Sequence, residues 1–574
     1  MVCVACGVAQ GEPRQPGVSL RFIAVEGGDA LTPTPRMFAG LDGQTGAKRS
    51  LPQIDENGVV LFSNTRLTGP APGLSWAYTE RSPGDLELLI APFTAPLGVD
   101  QVWGSVGKSI APDGSFVLEE SLSNAGDLPI VNEDEQLRYL DASAISLVDP
   151  DGTGVVDILR TSAGNEGTLG LWAVVESTPT ITGVVWVNDG TGVLVARFGE
   201  PMPNGTGSFS DFEVVGVAPD GVYFLADPRD GSGTSDSSLR SLWYGAGDGT
   251  AEVIRRGGAA PGLPGWTVDD FGETHDGGGL MALRARVFPT DDPAAPRTEV
   301  FYSVEGGIPS VLLVLEGAAP GVEGYDFAAI DRSPMGGWSA IKSDRIVFTA
   351  YITPSDAPVP ANGFITEDDQ VLYMLEDGQL RLLTREGDPV PGLGGRSYLF
   401  YQHAELARPI LNNRGDFVLE ALFIDAFLTG PTDLIMYDHS GDTFRSLIKP
   451  GDTAALPYQG TLVDGEVSVI WVQDETGNGA TAFNDRREVV CTVDYRTDLP
   501  RNFDRFSVNA MIAVGGCNTA DPSEPYYVFD AADTDRFIDA FVTQDAVVDI
   551  VPPFGVVDLD DLDSFIVSFL AGCP

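Results

Sequence analysis

The chain has 574 residues, 43% of them hydrophobic, and Gly 68 and Pro 41 together make up about a fifth of it, where about 12% is usual. That hydrophobic fraction excludes a disordered chain, and many turns between short apolar runs indicate an all-β fold. The formal net charge of −49 repels the phosphates of nucleic acids and anionic lipids, so no nucleic-acid partner is expected. No apolar run approaches the roughly 18 residues that span a bilayer, so no membrane span is predicted.

The first nine residues are interpreted as the end of a secretory signal peptide. Residues 1–10 are small and apolar without a basic segment, and a small-residue cleavage site follows Ala9. A lipoprotein anchor at Cys6 is the alternative, but residues 3–5 lack the leucine usual before such a cysteine. The signal-peptide interpretation predicts a secreted protein, extracellular or at the cell surface, and removes Cys3 and Cys6 from the mature chain.

Residues 18–515 are predicted to form one domain of internal repeats. The first half of each repeat is a turn rich in Gly and Asx followed by an alternating strand, as in a hairpin. Its copies are residues 57–62, 113–118, 220–225, 278–283, 344–348, 414–419 and 486–490. The second half is an aromatic strand, a further strand and a Gly-Asp/Ala-Pro-Gly stop. Its clearest copies are residues 242–262, 300–321, 371–392 and 435–452.

The number of repeats depends on one long interval. Gly114 and Gly221 are nearly twice as far apart as the other successive turns. The interval holds either one unit with an insertion or two units, with the hidden one at Asp151 and Gly152.

The phase of the repeats favours a closed ring. The domain begins at residues 20–29 with a second half that has no first half, and ends at residues 487–495 with a first half alone. Joined, the two complete one unit, whereas a linear solenoid would need polar caps at both ends. The sequence therefore predicts a β-propeller of seven or eight blades.

The repeats resemble a family of uncharacterised secreted bacterial proteins, common in planctomycete-type bacteria, with a recurring Asn-x-x-Gly-x-Val-x-Phe-x-Ala pattern and a later Gly-Asp-x-x-Pro-Gly. The closest copy is residues 411–421. The resemblance covers about residues 20–500 and implies no activity, because turn formation and packing explain the motif.

One loop of the repeat domain is a candidate Ca²⁺ site. Asp149, Asp151, Thr153 and Asp157 place oxygen atoms at positions 1, 3, 5 and 9 of a short loop. Alternate residues of such a loop converge on one cation, and hard oxygen donors suit Ca²⁺. The alternative is an ordinary acidic hairpin turn.

No catalytic residue is assigned. His275, His403 and His439 are dispersed and are interpreted as surface or packing residues. Residues 104–109 imitate a phosphate-binding loop, but Val102 stands where its first glycine belongs. A carboxylate pair for glycoside hydrolysis is defined by its separation in space, so the sequence does not locate one.

The tail, residues 517–574, contains a second repeat. Asp521, Pro525, Asp530, Asp533, Phe537 and Phe541 recur as Asp549, Pro553, Asp558, Asp561, Phe565 and Phe569. Each copy reads as an acidic turn followed by a short helix with a Phe pair at i, i+4. Cys517 and Cys573 bracket the copies and are predicted to form a disulfide, with Cα atoms about 4.4–6.8 Å apart. Cys491 lies in an apolar strand and is predicted to be a buried thiol outside that disulfide.

This region, with Cys517 at its start and Cys573 near its end, is similar to the GC-type dockerin-like anchors of many secreted planctomycete proteins. The resemblance implies two calcium loops and a cohesin-like or cell-surface partner. The candidate ligands are Asp521, Asp533, Asp549 and Asp561. The second loop is irregular because Val551 and Pro553 stand where ligands belong, and the first, with Ser523 and Glu524, is better but also irregular.

These observations favour an extracellular, non-catalytic binding or structural protein, tethered by its tail and binding a glycan or protein ligand at the central face of the propeller. The alternative is a secreted, carboxylate-dependent polysaccharide hydrolase or lyase. The tail is expected to have its own core, joined flexibly to the body at residues 507–516.

Overall fold

The computed structural model describes residues 18–25, 29–30, 36–37, 52–65, 75–80, 86–90, 107–110, 116–122, 126–133, 136–139, 145–148, 155, 157–163, 168–177, 180–188, 191–229, 236–247, 249–275, 280–328, 339–342, 345–355, 370–399, 409–423, 432–458, 461–472, 482–497, 506–514, 537–538, 541–542 and 562. Within these ranges the fold is all-β. The helical residues are a short 3-10 turn at Ser237–Leu239 and five residues of the tail.

Eight sheets of four or five strands follow one another along the described chain. Sheet 1 holds β4 (Gln53–Ile54), β5 (Val60–Thr65), β6 (Ser75–Glu80) and β7 (Leu86–Ile90). Sheet 2 holds β8 (Gly107–Ile110), β9 (Phe116–Leu122), β10 (Gly126–Glu133) and β11 (Gln136–Tyr139). Sheet 3 holds β12 (Ser146–Val148), β13 (Asp157–Ala163), β14 (Leu169–Ser177), β15 (Thr180–Asn188) and β16 (Thr191–Arg197). Sheet 4 holds β17 (Ser208–Ala218), β18 (Gly221–Arg229), β19 (Ser241–Ala246) and β20 (Gly249–Arg255).

The remaining four sheets repeat this plan. Sheet 5 holds β21 (Trp266–His275), β22 (Met281–Pro289), β23 (Thr298–Glu305) and β24 (Ile308–Leu315). Sheet 6 holds β25 (Tyr325–Phe327), β26 (Ser339–Lys342), β27 (Arg345–Pro354), β28 (Gln370–Glu376) and β29 (Gln379–Arg385). Sheet 7 holds β30 (Tyr398–Leu399), β31 (Ile410–Leu411), β32 (Phe417–Phe423), β33 (Asp433–Asp438) and β34 (Thr443–Ile448). Sheet 8 holds β35 (Thr453–Tyr458), β36 (Thr461–Trp471), β37 (Glu488–Thr497), β38 (Phe506–Val514) and β1 (Val18–Val25). A separate pair joins β2 (Asp29–Ala30) to β3 (Arg36–Met37).

Neighbouring strands are antiparallel, except that β12 pairs in parallel with β16. Each of these sheets contains a path of four hydrogen-bonded antiparallel strands; β26, β31 and β35 are additional strands of sheets 6, 7 and 8. Each predicted first turn precedes the second strand of such a path, namely β5, β9, β18, β22, β27, β32 and β37. The third strands carry the predicted aromatic residues, and Tyr244, Tyr302, Tyr373 and Tyr437 are buried there. The alternation of apolar residues therefore places these rings between sheets, where they form the core.

Cores lie between successive sheets. One apolar cluster is shared by sheets 4 and 5, another by sheets 5 and 6, and a third by sheets 6 and 7. The largest runs from sheet 7 through sheet 8 to sheet 1 and includes Val418, Val489 and Phe62. Sheets that pack face to face in chain order, with the last against the first, are propeller-like.

The predicted stop connects the last strand of one sheet to the first strand of the next. The last glycines of three stops, Gly262, Gly321 and Gly392, have positive φ and lie against the outer strand of the following sheet. A Cβ at Gly321 would lie 3.2 Å from the Cβ of Leu382, and one at Gly392 would lie 2.3 Å from the carbonyl oxygen of Phe444. Gly392 therefore approaches the backbone of the next sheet too closely for a side chain, and the positive φ favours glycine at both positions.

The prediction that the two ends of the body complete one unit is confirmed. β1 pairs antiparallel with β38, with Val18 opposite Val514 and Leu20 opposite Ile512. In addition, Asn484 donates its Nδ2 to the carbonyl oxygen of Asp55 in sheet 1, at 3.0 Å.

Two sequence predictions need correction. The hidden repeat is sheet 3, whose four consecutive antiparallel strands are β13 to β16. Asp151 and Gly152 precede β13, the first of these four, whereas the other first turns precede the second, which here is β14. Residues 507–514 are also not a flexible join. They belong to β38, where Ile512 and Val514 are buried between β37 and β1. The alternating apolar residues of 506–514 were the signal for this strand.

Of the tail, Phe537, Ile538, Phe541, Val542 and Leu562 are described, and all are helical. Phe537 is buried, and its ring stacks on that of Phe541 with centroids 5.9 Å apart. The rest of the tail lies outside the described residues. None of the helices described is long and apolar enough to cross a membrane.

Candidate functional site

Three first turns meet where sheets 7, 8 and 1 come together. They are residues 412–416, 484–488 and 55–59, which we call the turn collar. Each begins with an Asn or Asp whose Oδ1 accepts hydrogen bonds from the backbone amides two and four residues later. The distances are 3.0 and 3.0 Å at Asn412, 3.1 and 3.0 Å at Asn484, and 2.9 and 2.7 Å at Asp55. The first residue therefore fixes the shape of each turn.

The same first residues link one turn to the next. Nδ2 of Asn412 donates to the carbonyl oxygen of Asn484 at 3.2 Å, and Nδ2 of Asn484 donates to that of Asp55 at 3.0 Å. An asparagine is suited to this double role because its oxygen and nitrogen can serve different partners. The three turns are thus held as one unit.

The second residues of the turns add a parallel set of bonds. The backbone amide of Asn413 donates to Oδ1 of Asp485 at 2.7 Å, and its side-chain amide donates to Oδ2 at 2.8 Å. The backbone amide of Asp485 donates in turn to Oε2 of Glu56 at 2.7 Å.

Two basic side chains of sheet 6 also contact residues of the collar. Nζ of Lys342 lies 3.8 Å from Oε1 of Glu56, although their sheets are not neighbours in chain order. Nη1 of Arg345 donates to the carbonyl oxygen of Asn413 at 3.1 Å. The collar is therefore a point where sheets 6, 7, 8 and 1 converge.

Within the collar, one buried arginine pairs with two carboxylates. Arg487 is 1% exposed and has a positive φ of 59°. Its Nε and Nη2 donate to the two oxygens of Asp416, both at 2.8 Å, and Nη2 also donates to Oδ1 of Asp438 at 2.9 Å. Burial raises the pKa of Asp438, but the charge of Arg487 and hydrogen bonds from Ser440 and Gly441 outweigh it, so the net pKa is lowered.

A second carboxylate is fixed by a histidine and an arginine. Oε1 of Glu376 accepts from Nε of Arg345 at 2.5 Å, and Nε2 of His439 lies 3.0 Å from Oε2. Burial raises the pKa of Glu376, but these two partners outweigh it and lower the net pKa. Glu376 and Asp438 are therefore ionised at neutral pH.

Glu56 differs from these two carboxylates. Burial raises its pKa, and the amide of Asp485 and the charge of Lys342 offset this only in part. Burial raises the pKa of Asp55 in the same way. The collar thus contains two carboxyl groups, Asp55 and Glu56, that hold their protons to higher pH than usual, whereas Glu376 and Asp438 beside it are ionised.

These pKa shifts predict a loss of stability in acid. Because the pKa of Glu376 is lower in the folded than in the unfolded chain, its stabilisation is present above pH 4.5, its ordinary pKa, and is lost as the pH falls through the folded value. We expect the free energy of unfolding by urea to fall between pH 5 and pH 3, and to fall less steeply in Glu376→Gln. An equal slope in both proteins would contradict the role given to Glu376.

The outer side of the collar is polar. Asn57, Asn413 and Arg486 are exposed at the tips of the three turns, and Nη1 of Arg486 donates to the carbonyl oxygen of Asn57 at 2.7 Å. These amide and guanidinium groups can hydrogen-bond a ligand, and the network beneath them keeps their backbone in place.

The sequence-predicted metal and disulfide residues remain predictions. Asp149, Asp151, Thr153, Asp521, Asp533, Asp549 and Asp561 lie outside the described residues, as do Cys517 and Cys573. Asp157 opens β13, and its side chain is not described. In the described part of the chain no three His, Cys, Asp or Glu residues could hold a metal ion.

Other sequence interpretations can be placed. Cys491 is a fully buried thiol in β37, as predicted. Lys108 and Ser109 of the phosphate-loop imitation lie within β8. His275 ends β21 with its side chain outside the description, and His403 is not described. His439 is more than a packing residue, because its Nε2 lies 3.0 Å from Oε2 of Glu376 beside the collar.

Sequence reasoning recognised the turn motif but missed the links between its copies. The first Asn or Asp recurs at Asp55, Asn412 and Asn484, four or five residues before the strand that follows each turn. That recurrence was the available signal, since such residues fix turns by accepting backbone hydrogen bonds. Nothing in the sequence pairs Lys342 with Glu56.

Solved structures similar to this chain have low identity. An α-L-arabinanase from Penicillium chrysogenum is 12% identical over 61% of this chain and 92% of its own, with a TM-score of 0.26. The Dos1 propeller is 7% identical over 81% and 93%, with a TM-score of 0.31. The WD40 domain of SCAP from fission yeast is 10% identical over 87% and 99%, with a TM-score of 0.36. At these scores the likenesses carry no argument about activity.

No curated protein matches the chain. One family profile matches residues 144–495, which is more than half of the chain and includes sheets 3 to 7 and two turns of the collar. The chain therefore belongs to the family of unknown function DUF7453.

Proposed function

We propose that this protein is an extracellular, non-catalytic binding protein whose eight sheets close into an eight-bladed propeller. The turn collar would be its ligand surface. The observation that carries the proposal is the linkage of three turns into one rigid unit with Asn57, Asn413 and Arg486 exposed at its tips. A binding surface that is ordered before the ligand arrives loses less entropy on binding.

The state of the carboxylates supports binding over catalysis. Glu376 and Asp438 are paired with cationic groups that lower their pKa, so neither can act as a general acid at neutral pH. Their charges serve to hold Arg345 and Arg487 in place.

We propose a polysaccharide as the ligand. Amide and guanidinium groups present several donors and acceptors in fixed planes, which suits the neighbouring hydroxyls of a sugar chain. A net charge of −49 favours a neutral polysaccharide over an anionic one.

Isothermal titration with a panel of neutral soluble polysaccharides tests this surface. We expect one saturable site, weakened about tenfold by Asn413→Ala, which corresponds to about 1.4 kcal/mol. Gln379→Ala is the matched control, since Gln379 is also exposed and lies outside the collar. Equal weakening by both variants, or binding to none of the polysaccharides, would contradict the proposal.

A polysaccharide hydrolase or lyase is the second candidate, and Glu56 favours it. A partly buried carboxyl with a raised pKa is the kind of group that serves as a general acid. Release of reducing sugars from the same panel, abolished by Glu56→Gln, would favour this candidate over simple binding.

The tail is proposed to be a docking module that tethers the body, closed by a disulfide between Cys517 and Cys573 and able to bind Ca²⁺. Two features support this: the paired acidic repeats of the tail and the contact of Phe537 with Phe541 inside it.

A further inference from the structure

One ring nitrogen of His439 has no hydrogen-bond partner among the described residues. Nε2 of His439 lies 3.0 Å from Oε2 of Glu376, and the backbone amide of His439 donates to Oδ1 of Asp416 at 2.9 Å. The other ring nitrogen, Nδ1, makes no such bond. Because the side chain is 25% exposed and Nδ1 is not one of the buried unpaired atoms, a ligand can reach this nitrogen.

The charge of Glu376 decides which nitrogen of the neutral histidine ring carries the proton. The pKa of Glu376 is lowered, so at neutral pH both of its oxygens can only accept hydrogen bonds. Nε2 of His439 must therefore be the donor, which leaves Nδ1 as an acceptor. Carboxylates fix the tautomer of catalytic and metal-binding histidines in the same way.

Arg345 holds this acceptor beside an exposed tip of the turn collar. Its Nε donates to Oε1 of Glu376, and its Nη1 donates to the carbonyl oxygen of Asn413. A Cβ on Gly415 would lie 2.9 Å from Cγ of His439 and 3.0 Å from Nε of Arg345. The ring of His439 therefore packs against the turn that carries Asn413.

The charged groups around His439 are paired with one another. The carboxylates and arginines that face the ring, or that pair with those groups, are Glu376, Asp416, Asp438, Arg345, Arg414, Arg445 and Arg487. Each carboxylate has an arginine partner, so the site does not require a charged ligand. A neutral hydrogen-bond donor suits Nδ1.

Two neutral groups of a polysaccharide can donate a hydrogen bond, a hydroxyl and the N–H of an acetamido group. A hydroxyl can donate or accept, whereas an amide N–H can only donate. A fixed acceptor therefore selects most sharply for the amide. The carbonyl oxygen of the same acetamido group can accept from the amide and guanidinium donors at the tips of the collar.

We propose that the polysaccharide bound at the collar contains N-acetylated sugars, and that an acetamido N–H donates to Nδ1 of His439. This deepens the binding function proposed above and rests on it. It also makes recognition depend on pH. A histidine ring gains its second proton between about pH 8 and pH 5, and Nδ1–H and the acetamido N–H would then be two donors facing each other.

Oligosaccharides of chitin and of cellulose, matched in length, are the probes. They share a backbone and differ in the acetamido or hydroxyl group on each sugar. In isothermal titration of the full chain at pH 8 we expect the chitin oligosaccharide to bind about tenfold more tightly. At pH 5 the ratio of the two affinities should fall towards one. Protonation of Asp55 and Glu56, whose pKa values are raised, affects both probes, so the ratio is the readout.

Two variants separate recognition by Nδ1 from support of the collar. His439→Phe keeps an aromatic ring but has no acceptor, so the ratio should be close to one at both pH values. Glu376→Gln keeps His439, but its amide can donate to Nε2 and so releases the tautomer, which should lower the ratio at pH 8. Gln379→Ala is the control, because Gln379 is exposed and lies outside the collar. It should keep the ratio of the wild type.

Equal affinity of the wild type for the two oligosaccharides at pH 8 would overturn the inference, as would a preference that survives in His439→Phe. Binding of neutral polysaccharides without this preference would leave the binding function standing and remove only the recognition of N-acetyl groups. If no polysaccharide binds, both fail. Equally tight binding of gelatin, whose peptide bonds also offer N–H groups, would assign the acceptor to a protein ligand and overturn the proposal.

Discussion

Arg487→Met should lower the free energy of unfolding by about 3–5 kcal/mol. Arg487 is 1% exposed and donates to Asp416 and Asp438, which are each 1% exposed. Methionine has a similar length but no charge, so two buried carboxylates would lose their closest cationic partner and keep only Arg414 and Arg445, at 3.7 and 3.8 Å. Removing one member of a buried ion pair costs most because the remaining charge stays desolvated.

Urea unfolding monitored by tryptophan fluorescence measures this loss. Arg381→Ala is the control: Arg381 is 37% exposed and pairs with Asp442, which is 69% exposed, so its loss should cost at most about 1 kcal/mol. The positive φ at position 487 disfavours methionine and arginine alike, so the comparison isolates the charge. Similar losses in the two variants would refute the importance given to the buried pair.

Gly392→Ala should lower the free energy of unfolding by about 2–5 kcal/mol. Gly392 has a φ of +86°, and a Cβ there would lie 2.3 Å from the carbonyl oxygen of Phe444 and from Oγ1 of Thr443. The left-handed conformation costs a side chain about 1–2 kcal/mol. The clash would also push sheet 7 away from the connection that precedes it, at about 1–3 kcal/mol.

Gly394→Ala separates these two costs. Gly394 has a φ of +64°, and a Cβ there would meet nothing within 4 Å, so only the conformational cost of about 1–2 kcal/mol applies. If both substitutions lowered the urea midpoint equally, close approach between sheets would not be what selects glycine in the stop.

Local patterns predicted the repeat unit well. The alternation of apolar residues after each turn located strands such as β18 and β32, because side chains of a strand alternate between its two faces. The incomplete units at the two ends predicted that β1 would complete the last sheet. Both are periodic features that a single sequence displays.

What the sequence could not give were the contacts between distant repeats. The turn at Asn412 is 72 residues from that at Asn484, and Asp55 is 429 residues away from Asn484. Only closure of the sheets brings them together. Sheet 3 was misplaced because the Asp151-Gly152 pair matches the turns at 113–114 and 220–221, whereas the segment that precedes β14 contains Asn165 and Gly167 separated by one residue.

The pairing of β1 with β38 also sets the order in which the chain can fold. Val18 and Val514 are partners, so about 500 residues separate the first strand from its place. At about 5–20 residues per second, synthesis of that stretch takes on the order of half a minute or more, with β1 awaiting its partner throughout. Contacts of such high sequence separation form slowly. The last sheet is therefore completed after the others, and a chain that stops before residue 506 leaves its first strand permanently available for mispairing.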